Sequence, residues 1–329
     1  MTRYAVLGTG AVGGLYGGLL ARAGFEVHFL LHSDYDHVCR HGLHVESPWG
    51  SFILPSVNAY QSVDEMPPVD VVLVAWKTTS NAALREALPH LMGPRSIDSE
   101  IDRSPVVGEP SESMVLVLQN GWDIERDAAD VVGAERVLGG CCFLCCTKAS
   151  PGYIRHSDRG RIVFGEYAPQ LAGSTTPRMR TIEADFRKAL IEIAATDDLR
   201  KARWMKLMWN IPFNGLSVVL DSLTDALMSD PDSADLARQL MEEVRHIAAG
   251  CGSPIEAAFA QKLLDDTRSM VPYASSMLVD YRHARRMEIE AIFGNPLRAA
   301  QAAGVDAPRL EMLYKQLKFL DSRNKELMR

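Results

Sequence analysis

The opening of the chain constrains its fold more than any other stretch. Residues 3–8, "RYAVLG", form a short apolar strand that runs straight into "GTGAVGG". "LYGGLLARAG" follows with helical apolar spacing and stops at Gly24, and "FEVHFLL" is a second strand. Strand, glycine turn, helix and strand within about 30 residues is the unit that opens a dinucleotide-binding α/β sheet. Gly8, Gly10 and Gly13 meet the G-x-G-x-x-G spacing, with Thr9, Ala11 and Val12 completing the loop. Gly8 permits the tight turn, Gly10 lets the backbone approach a pyrophosphate, and Gly13 allows close helix–strand packing. The helix N-terminus then offers free N–H groups and a partial positive charge to the phosphates.

The choice of dinucleotide turns on the tip of the second strand. An NAD site expects Asp or Glu there to hold the ribose 2′-OH. This chain has Leu31, His32 and Ser33, and its first acid, Asp34, comes late. With no acid at the tip a 2′-phosphate is not repelled, which favours NADP and leaves NAD as the alternative. His32 is either a cofactor contact or an ordinary surface histidine, and Asp34 could still turn inward.

Two further strands are continuous rather than alternating in hydrophobicity, "VDVVLVAWKTTSN" (69–81) and "SMVLVLQNG" (113–121). That pattern indicates a parallel sheet covered on both faces. Polar residues just beyond such strands lie at the carboxyl edge, where open α/β sheets bind ligands. Lys77 and Asn120 are therefore either candidate site residues or polar residues that merely start loops. Between these strands, 93–113 is rich in Ser, Pro and acids, lacks periodicity, and reads as a surface insertion with no assigned role.

Residues 141–146, "CCFLCC", have strand character, and strand alternation sends Cys142 and Cys145 to opposite faces. No second Cys or His group with zinc-site spacing accompanies them, so no metal is expected. "SPGYIRHSDRGRIVFGEY" then reads as a hairpin around a Ser-Asp-Arg-Gly turn, adding an antiparallel edge to the sheet.

From about residue 180 the pattern becomes helical. "TPRMRTIEADFRKALIEIA" reads as one amphipathic helix, and a composition shift places the domain boundary near 198–200, giving domains 1–198 and 199–329. In "WMKLMWNIPFN" (204–214), Lys206 and Asn210 are one turn apart on a helix, and Asn214 is rotated only ~80° from Lys206. The three share a broad side flanked by Trp204, Trp209 and Phe213, with Pro212 expected to kink the helix. Such a stripe either faces water or lines a cleft, and its aromatic flanks favour the cleft. "SSMLVDYRHARRMEIEAIFGNPLRAAQAAG" reads as a second helix. There Glu288 is a lone carboxylate on a small apolar face beside Ala284, Ala291 and Ile292, unless it pairs with Arg285. Ser275 and Ser276, near that helix's start, suit an anionic ligand or serve as caps.

Composition narrows the function classes. The formal charge is -7 with no Lys/Arg cluster, which disfavours nucleic acid as a partner. No apolar run approaches the ~18–20 residues that span a bilayer, and the N-terminus makes a poor signal peptide. Six cysteines in 329 residues do not form a secreted disulfide scaffold, so a cytoplasmic location is expected.

Taken together, "GTGAVG", "WKTTSN", "LQNG", "WMKLMWNIPFN" and "SSMLVDYRHARRMEIE" occur in the order found in the ketopantoate reductases (2-dehydropantoate 2-reductases), and the chain resembles that family over essentially its whole length. The resemblance implies an N-terminal Rossmann-type domain, an all-helical C-terminal domain, and a site in the cleft between them. It implies that Lys206 is the general acid, that Asn210 and Asn214 hold the substrate, and that Ser276 binds its carboxylate. Glu288 matches the family's acidic residue near the nicotinamide and the substrate hydroxyl. Gly8, Thr9, Gly10, Ala11, Val12, Gly13, Lys77 and Asn120 match cofactor contacts. His32 stands where many members carry arginine, Cys146 where members often have a small residue near the cofactor, and Phe293 where an asparagine is common. The implied activity is NADPH-dependent reduction of 2-dehydropantoate to (R)-pantoate in pantothenate biosynthesis. The alternatives are another branched or bulkier 2-oxo acid as substrate, or a non-catalytic dinucleotide sensor on the same scaffold. Apolar stripes on the helical half leave a homodimer open.

Overall fold

The computed structural model describes residues 1–92 and 113–327, so the insertion expected at 93–113 lies, apart from Ser113, outside the described residues. The chain divides into two units, Met1–Gln119 with Glu125–Leu199, and Asn120–Ile124 with Arg200–Arg329.

The first unit contains β1 (Arg3–Leu7), α1 (Ala11–Arg22), β2 (Glu26–Leu30), α2 (Tyr35–His41), β3 (Leu43–Glu46), β4 (Phe52–Leu54) and β5 (Asn58–Tyr60). It continues with β6 (Val71–Val74), α3 (Leu84–Met92), β7 (Met114–Val117), α4 (Arg126–Val132), β8 (Val137–Ser150), β9 (Tyr153–Glu166), α5 (Pro177–Lys188) and β10 (Ile193–Ala195). The sheet runs β4-β3-β9-β8-β7-β6-β1-β2-β5, with β10 paired to β9. From β5 to β8 every pairing is parallel, and β6 and β7 are buried along their whole length. This is the Rossmann-type sheet that the continuous apolar strands predict. Its core joins Leu15, Leu19 and Leu20 of α1 and Met179, Ile182 and Phe186 of α5 to the inward residues of the strands.

The hairpin differs from expectation. Its turn is Pro151–Gly152, with Gly152 at φ 64, and β9 runs unbroken through "SDRG". Within β9, Arg159 and Gly160 take φ 62 and 128, and the register with β8 shifts there, so the segment is a bulge. The Trp49 ring packs on Gly160, leaving no room for a Cβ. Nor is β9 an edge, since β3 and β10 pair along its other side.

Buried His156 locks the bulge. Its Nε2 lies 2.8 Å from the Arg159 carbonyl and 3.1 Å from that of Asp158, so Nε2 carries the proton. Nδ1 then accepts from the Ser47 hydroxyl at 2.9 Å. Burial pulls the imidazole below its ordinary pKa, although the two carbonyls oppose that. A depressed folded-state pKa means the unfolded chain takes up the proton first. The stabilisation is therefore complete above about pH 6.5 and is lost as pH falls, by at most about 1.4 kcal/mol per unit. In His156→Gln the loss of stability between pH 7 and pH 5, measured by urea titration, should be smaller than in the wild type. Equal losses would remove His156 from the acid response.

A second difference lies at 177–195. The helix ends at Lys188, Leu190 takes φ 61, and the chain turns into β10. Ile191 and Ile193 are both buried, a period of two that a helix cannot satisfy.

In the second unit every regular element among the described residues is helical: α6 (Leu199–Val219), α7 (Thr224–Ser229), α8 (Pro231–Gly250), α9 (Ala257–Ser269), α10 (Ser276–Arg282), a π-helical turn (Glu290–Gly294), α11 (Asn295–Ala302) and α12 (Pro308–Leu327). Buried faces of these helices form one apolar core that includes Trp204, Met208, Ile211, Phe213, Ile292 and Phe293. α6 runs its full length through Pro212. The second long helix expected at 275–303 is interrupted. Ala284 takes φ 52, the Arg285 N–H returns to the Asp280 carbonyl at 2.8 Å, and the Met287 N–H donates to Asp321 at 3.0 Å. Glu288 therefore opens the next helical segment, and Ala284 is not its neighbour one turn back. No helix among the described residues is long and apolar enough to cross a membrane.

Candidate functional site

The glycine loop joins β1 to α1. Gly8 sits at φ 99, and a Cβ there would collide with the Trp76 backbone. At Gly13 a Cβ would strike the Gly8 carbonyl and Val6. Gly10 is different: its φ is -87, open to any residue, and nothing lies within 4 Å of where its Cβ would be. The protein's own packing thus demands glycine at 8 and 13 but not at 10. The open space at Gly10 among the described residues fits the close approach of a pyrophosphate. Ala11 and Val12, half-buried, form the first turn of α1, whose early N–H groups have no intrahelical acceptor. Thr9 turns the other way, donating from Oγ1 to the Leu30 carbonyl at 2.9 Å and tying the loop to the end of β2.

His32 is exposed just past that end. Asp34 does turn inward. It accepts from Lys148 Nζ at 2.8 Å, from the Gly152 N–H at 3.0 Å and from Ser33 Oγ at 3.1 Å. Burial raises this carboxyl's pKa, but those bonds outweigh it and hold the group below its ordinary value. Cys146, on β8, donates from Sγ to the Ala11 carbonyl at 3.5 Å. Burial, with Cys145 beside it, pushes its thiol up to about 12, so it is a neutral donor at the loop rather than a nucleophile. Cys145 is likewise pushed up to about 11 by burial. Among the described residues no group of three His, Cys, Asp or Glu converges as a metal site.

Lys77 ends the β6 segment and is half-buried. The loops after β6 and β7 are knitted by residues the sequence reading passed over. Asn81 Oδ1 accepts from the Trp76 indole at 3.1 Å and from the Gln119 amide at 2.7 Å, while its Nδ2 donates to Asp127 at 2.6 Å. Asn81 stands in the quoted motif, but only the partners reveal its job.

In the second unit, Lys206, Asn210 and Asn214 are 8%, 5% and 2% exposed, which settles that their stripe does not face water. The Asn210 Nδ2 is buried and has no hydrogen-bond partner among the described residues. An unpartnered buried amide costs about 1–3 kcal/mol, which a ligand acceptor at that position would recover. The stripe continues to Ser217, eleven residues beyond Lys206 and so nearly in line with it. Ser217 Oγ and Ser275 Oγ are 2.7 Å apart, and Ser275 caps α10 by accepting from the Leu278 N–H at 3.1 Å. The contact fixes the start of α10 beside the stripe. Ser276, the first residue of α10, has its side chain exposed. Ser217 was missed, although its spacing from Lys206 was the available signal.

Glu288 is buried at 7% exposure, and Arg285 pairs with Asp280 at 3.1 Å. Beyond Glu288 lies the π-helical turn, a form that occurs often at functional sites. There the Ala291 carbonyl accepts from the Trp122 N–H at 2.9 Å, and Asn295 Nδ2 donates to the Trp122 carbonyl at 2.7 Å. Trp122 also stacks on Trp204 of α6, with centroids 4.1 Å apart. Segment 120–124, which begins with half-buried Asn120, is thereby fastened both to α6 near Lys206 and to the turn after Glu288. Phe293 is fully buried in the helical core.

Each of the two units resembles known proteins. Residues 4–169 match the family described as Ketopantoate reductase PanE/ApbA, and residues 198–321 match its C-terminal counterpart. A 2-dehydropantoate 2-reductase from Nostoc sp. is 48% identical over 324 residues, covering 98% of this chain and 96% of that one. The crystal structure of 2-dehydropantoate 2-reductase from Geobacter metallireducens superposes with a TM-score of 0.87 at 38% identity, covering 96% of this chain and 99% of that one. The corresponding enzyme from Methylococcus capsulatus gives 0.82 at 32% identity, covering 98% and 97%. With both units matched, this chain belongs to the ketopantoate reductase family and is an oxidoreductase of that family.

Proposed function

We propose that the protein reduces the C2 carbonyl of 2-dehydropantoate to (R)-pantoate with NADPH, in the cytoplasm, as a step of pantothenate synthesis. The observation that carries this reading is the buried stripe on α6, where Lys206 lies one turn from an asparagine amide with no partner among the described residues. When bound, the dinucleotide supplies a hydride. As the carbonyl is reduced, negative charge builds on its oxygen. Lys206 stabilises that charge and donates the proton that makes the alcohol. Asn210 donates its spare N–H to the substrate, Asn214 supports it along the same face, and Ser276 receives the carboxylate at the start of α10. Glu288 accepts a hydrogen bond from the substrate hydroxyl and orients it. Burial keeps water from Lys206, Asn210, Asn214 and Glu288, so their contacts count for more than they would in solution.

Asn210→Leu separates function from stability. Removing an unpartnered buried amide should leave the melting temperature unchanged or higher, while kcat/KM for the oxo acid falls about 10–100-fold. Unchanged kcat/KM would take Asn210 out of the substrate site. The activity itself is tested by following NADPH and NADH oxidation with 2-dehydropantoate, pyruvate and 2-oxoisovalerate. Rapid turnover only with NADPH and 2-dehydropantoate is expected. Faster turnover of another oxo acid would replace the substrate, and tight NADPH binding without turnover on any of them would favour a sensor.

A further inference from the structure

Lys148 and Asp34 are 114 residues apart in sequence and form an ion pair beside the tip of β2. Neither has a role in the reading above. Three observations place the pair on the side of the sheet that carries the glycine loop. Thr9 ties that loop to Leu30 at the end of β2, and Asp34 follows four residues later. Cys146 touches Ala11, the first residue of α1. The pairing of β8 with β9 is regular from Cys146 to Lys148, so the two side chains leave the same face of β8, about 7 Å apart along the strand.

In a Rossmann-type unit the ribose next to the adenine lies at the tip of the second strand, and a carboxylate there accepts its 2′-OH. Asp34 is the first carboxylate past that tip, but both of its oxygens are engaged, Oδ1 by Lys148 and Ser33 and Oδ2 by the Gly152 N–H. The pair is asymmetric in exposure: the Asp34 side chain is 5% exposed and that of Lys148 33%. An ammonium has three N–H donors, and its bond to Asp34 uses one. The accessible partner is thus the cation, and the buried one is the anion that anchors it.

Resting on the dinucleotide reading of the glycine loop, we propose that Lys148, aimed by Asp34, contacts the cofactor's 2′-phosphate, and that the pair sets the preference for NADPH over NADH. Lys148 acts twice: it offers positive charge to the phosphate, and it occupies the carboxylate that would otherwise repel the phosphate and accept a 2′-OH. Asp34 is a positioning residue, acting through Lys148.

The test is the dissociation constants of NADPH and NADH for the wild type, Lys148→Met, Lys148→Arg and Asp34→Asn, with melting temperature recorded for each. Lys148→Met should weaken NADPH at least about tenfold, as expected for loss of a charge-assisted bond, and leave NADH unchanged or tighter. Lys148→Arg should restore most of the NADPH affinity. Asp34→Asn removes the competing anion without removing the cation, so it should shift NADPH binding while NADH holds. A purely structural pair would move both cofactors together in all three variants, and that result overturns the proposal. Should Lys148→Met fail to fold, Lys148→Arg and Asp34→Asn still decide: parallel changes in both cofactors refute it, and a change confined to NADPH supports it. If the wild type binds neither dinucleotide, the reading of the glycine loop fails and the proposal falls with it. If both bind and the NADPH-to-NADH ratio is the same in every variant, the loop reading stands and only the proposal is refuted.

Discussion

Lys206→Ala is expected to lose about 10³-fold in kcat while the fold and dinucleotide affinity stay near normal. The size follows from what one side chain does twice. In the proposed reaction it would neutralise the developing oxyanion, an effect worth about 10²–10³-fold in a water-excluded site, and would donate the proton. Its position supports both roles, since Lys206 is buried to 8% exposure on the face that also carries Asn210 and Asn214. Lys206→Met fills nearly the same volume and separates packing from chemistry. It should melt close to the wild type and be as inactive as the alanine variant. A steady-state kcat within a few-fold of wild type in either variant would remove Lys206 from the chemistry. Loss of affinity for the oxo acid with kcat intact would make it a binding residue instead.

Gly10→Val is expected to fold normally and to lose about 10²-fold or more in NADPH affinity, the size of an overpacked contact of ~3 kcal/mol. The three motif glycines differ in what surrounds them. A Cβ collides with the protein at Gly8 and Gly13, so valine at either should destabilise the fold itself. At Gly10 the backbone angle suits any residue and the space beyond is open. Only a ligand close to the loop would meet the new side chain. Calorimetric titration with NADPH together with a melting curve distinguishes the cases. Wild-type affinity in a folded Gly10→Val protein would mean the phosphates do not approach the loop at residue 10.

These two candidate sites were legible in the sequence for one physical reason: their information is local. The glycine motif works through sterics within a few residues of chain, and the stripe on α6 is a helical period. Features that escaped were decided by partners far along the chain. Arg159 and Gly160 form a bulge rather than a turn because Trp49 packs on Gly160 and His156 bonds the carbonyls of Asp158 and Arg159. The helix expected through residue 284 breaks where Asp280 and Asp321 take the N–H groups of Arg285 and Met287, Asp280 through its backbone carbonyl. Residues 189–195 leave the helix because Ile193 pairs with Ile162 of β9, a contact no local pattern encodes. Ser217 meets Ser275 across 58 residues and Lys148 meets Asp34 across 114. In each case the residue type was visible and the partner was not.

In the proposed reaction C2 of the 2-oxo acid gains a hydride and Lys206 protonates the oxygen. Incubating the protein with 2-dehydropantoate and NADPH carrying deuterium at the transferring C4 position, then locating the label by mass spectrometry and NMR, follows both events. The account predicts pantoate with a single deuterium at C2, formed by the wild type and not by Lys206→Ala. Cofactor oxidation that leaves C2 unlabelled, or labelled pantoate formed equally well by Lys206→Ala, would contradict it.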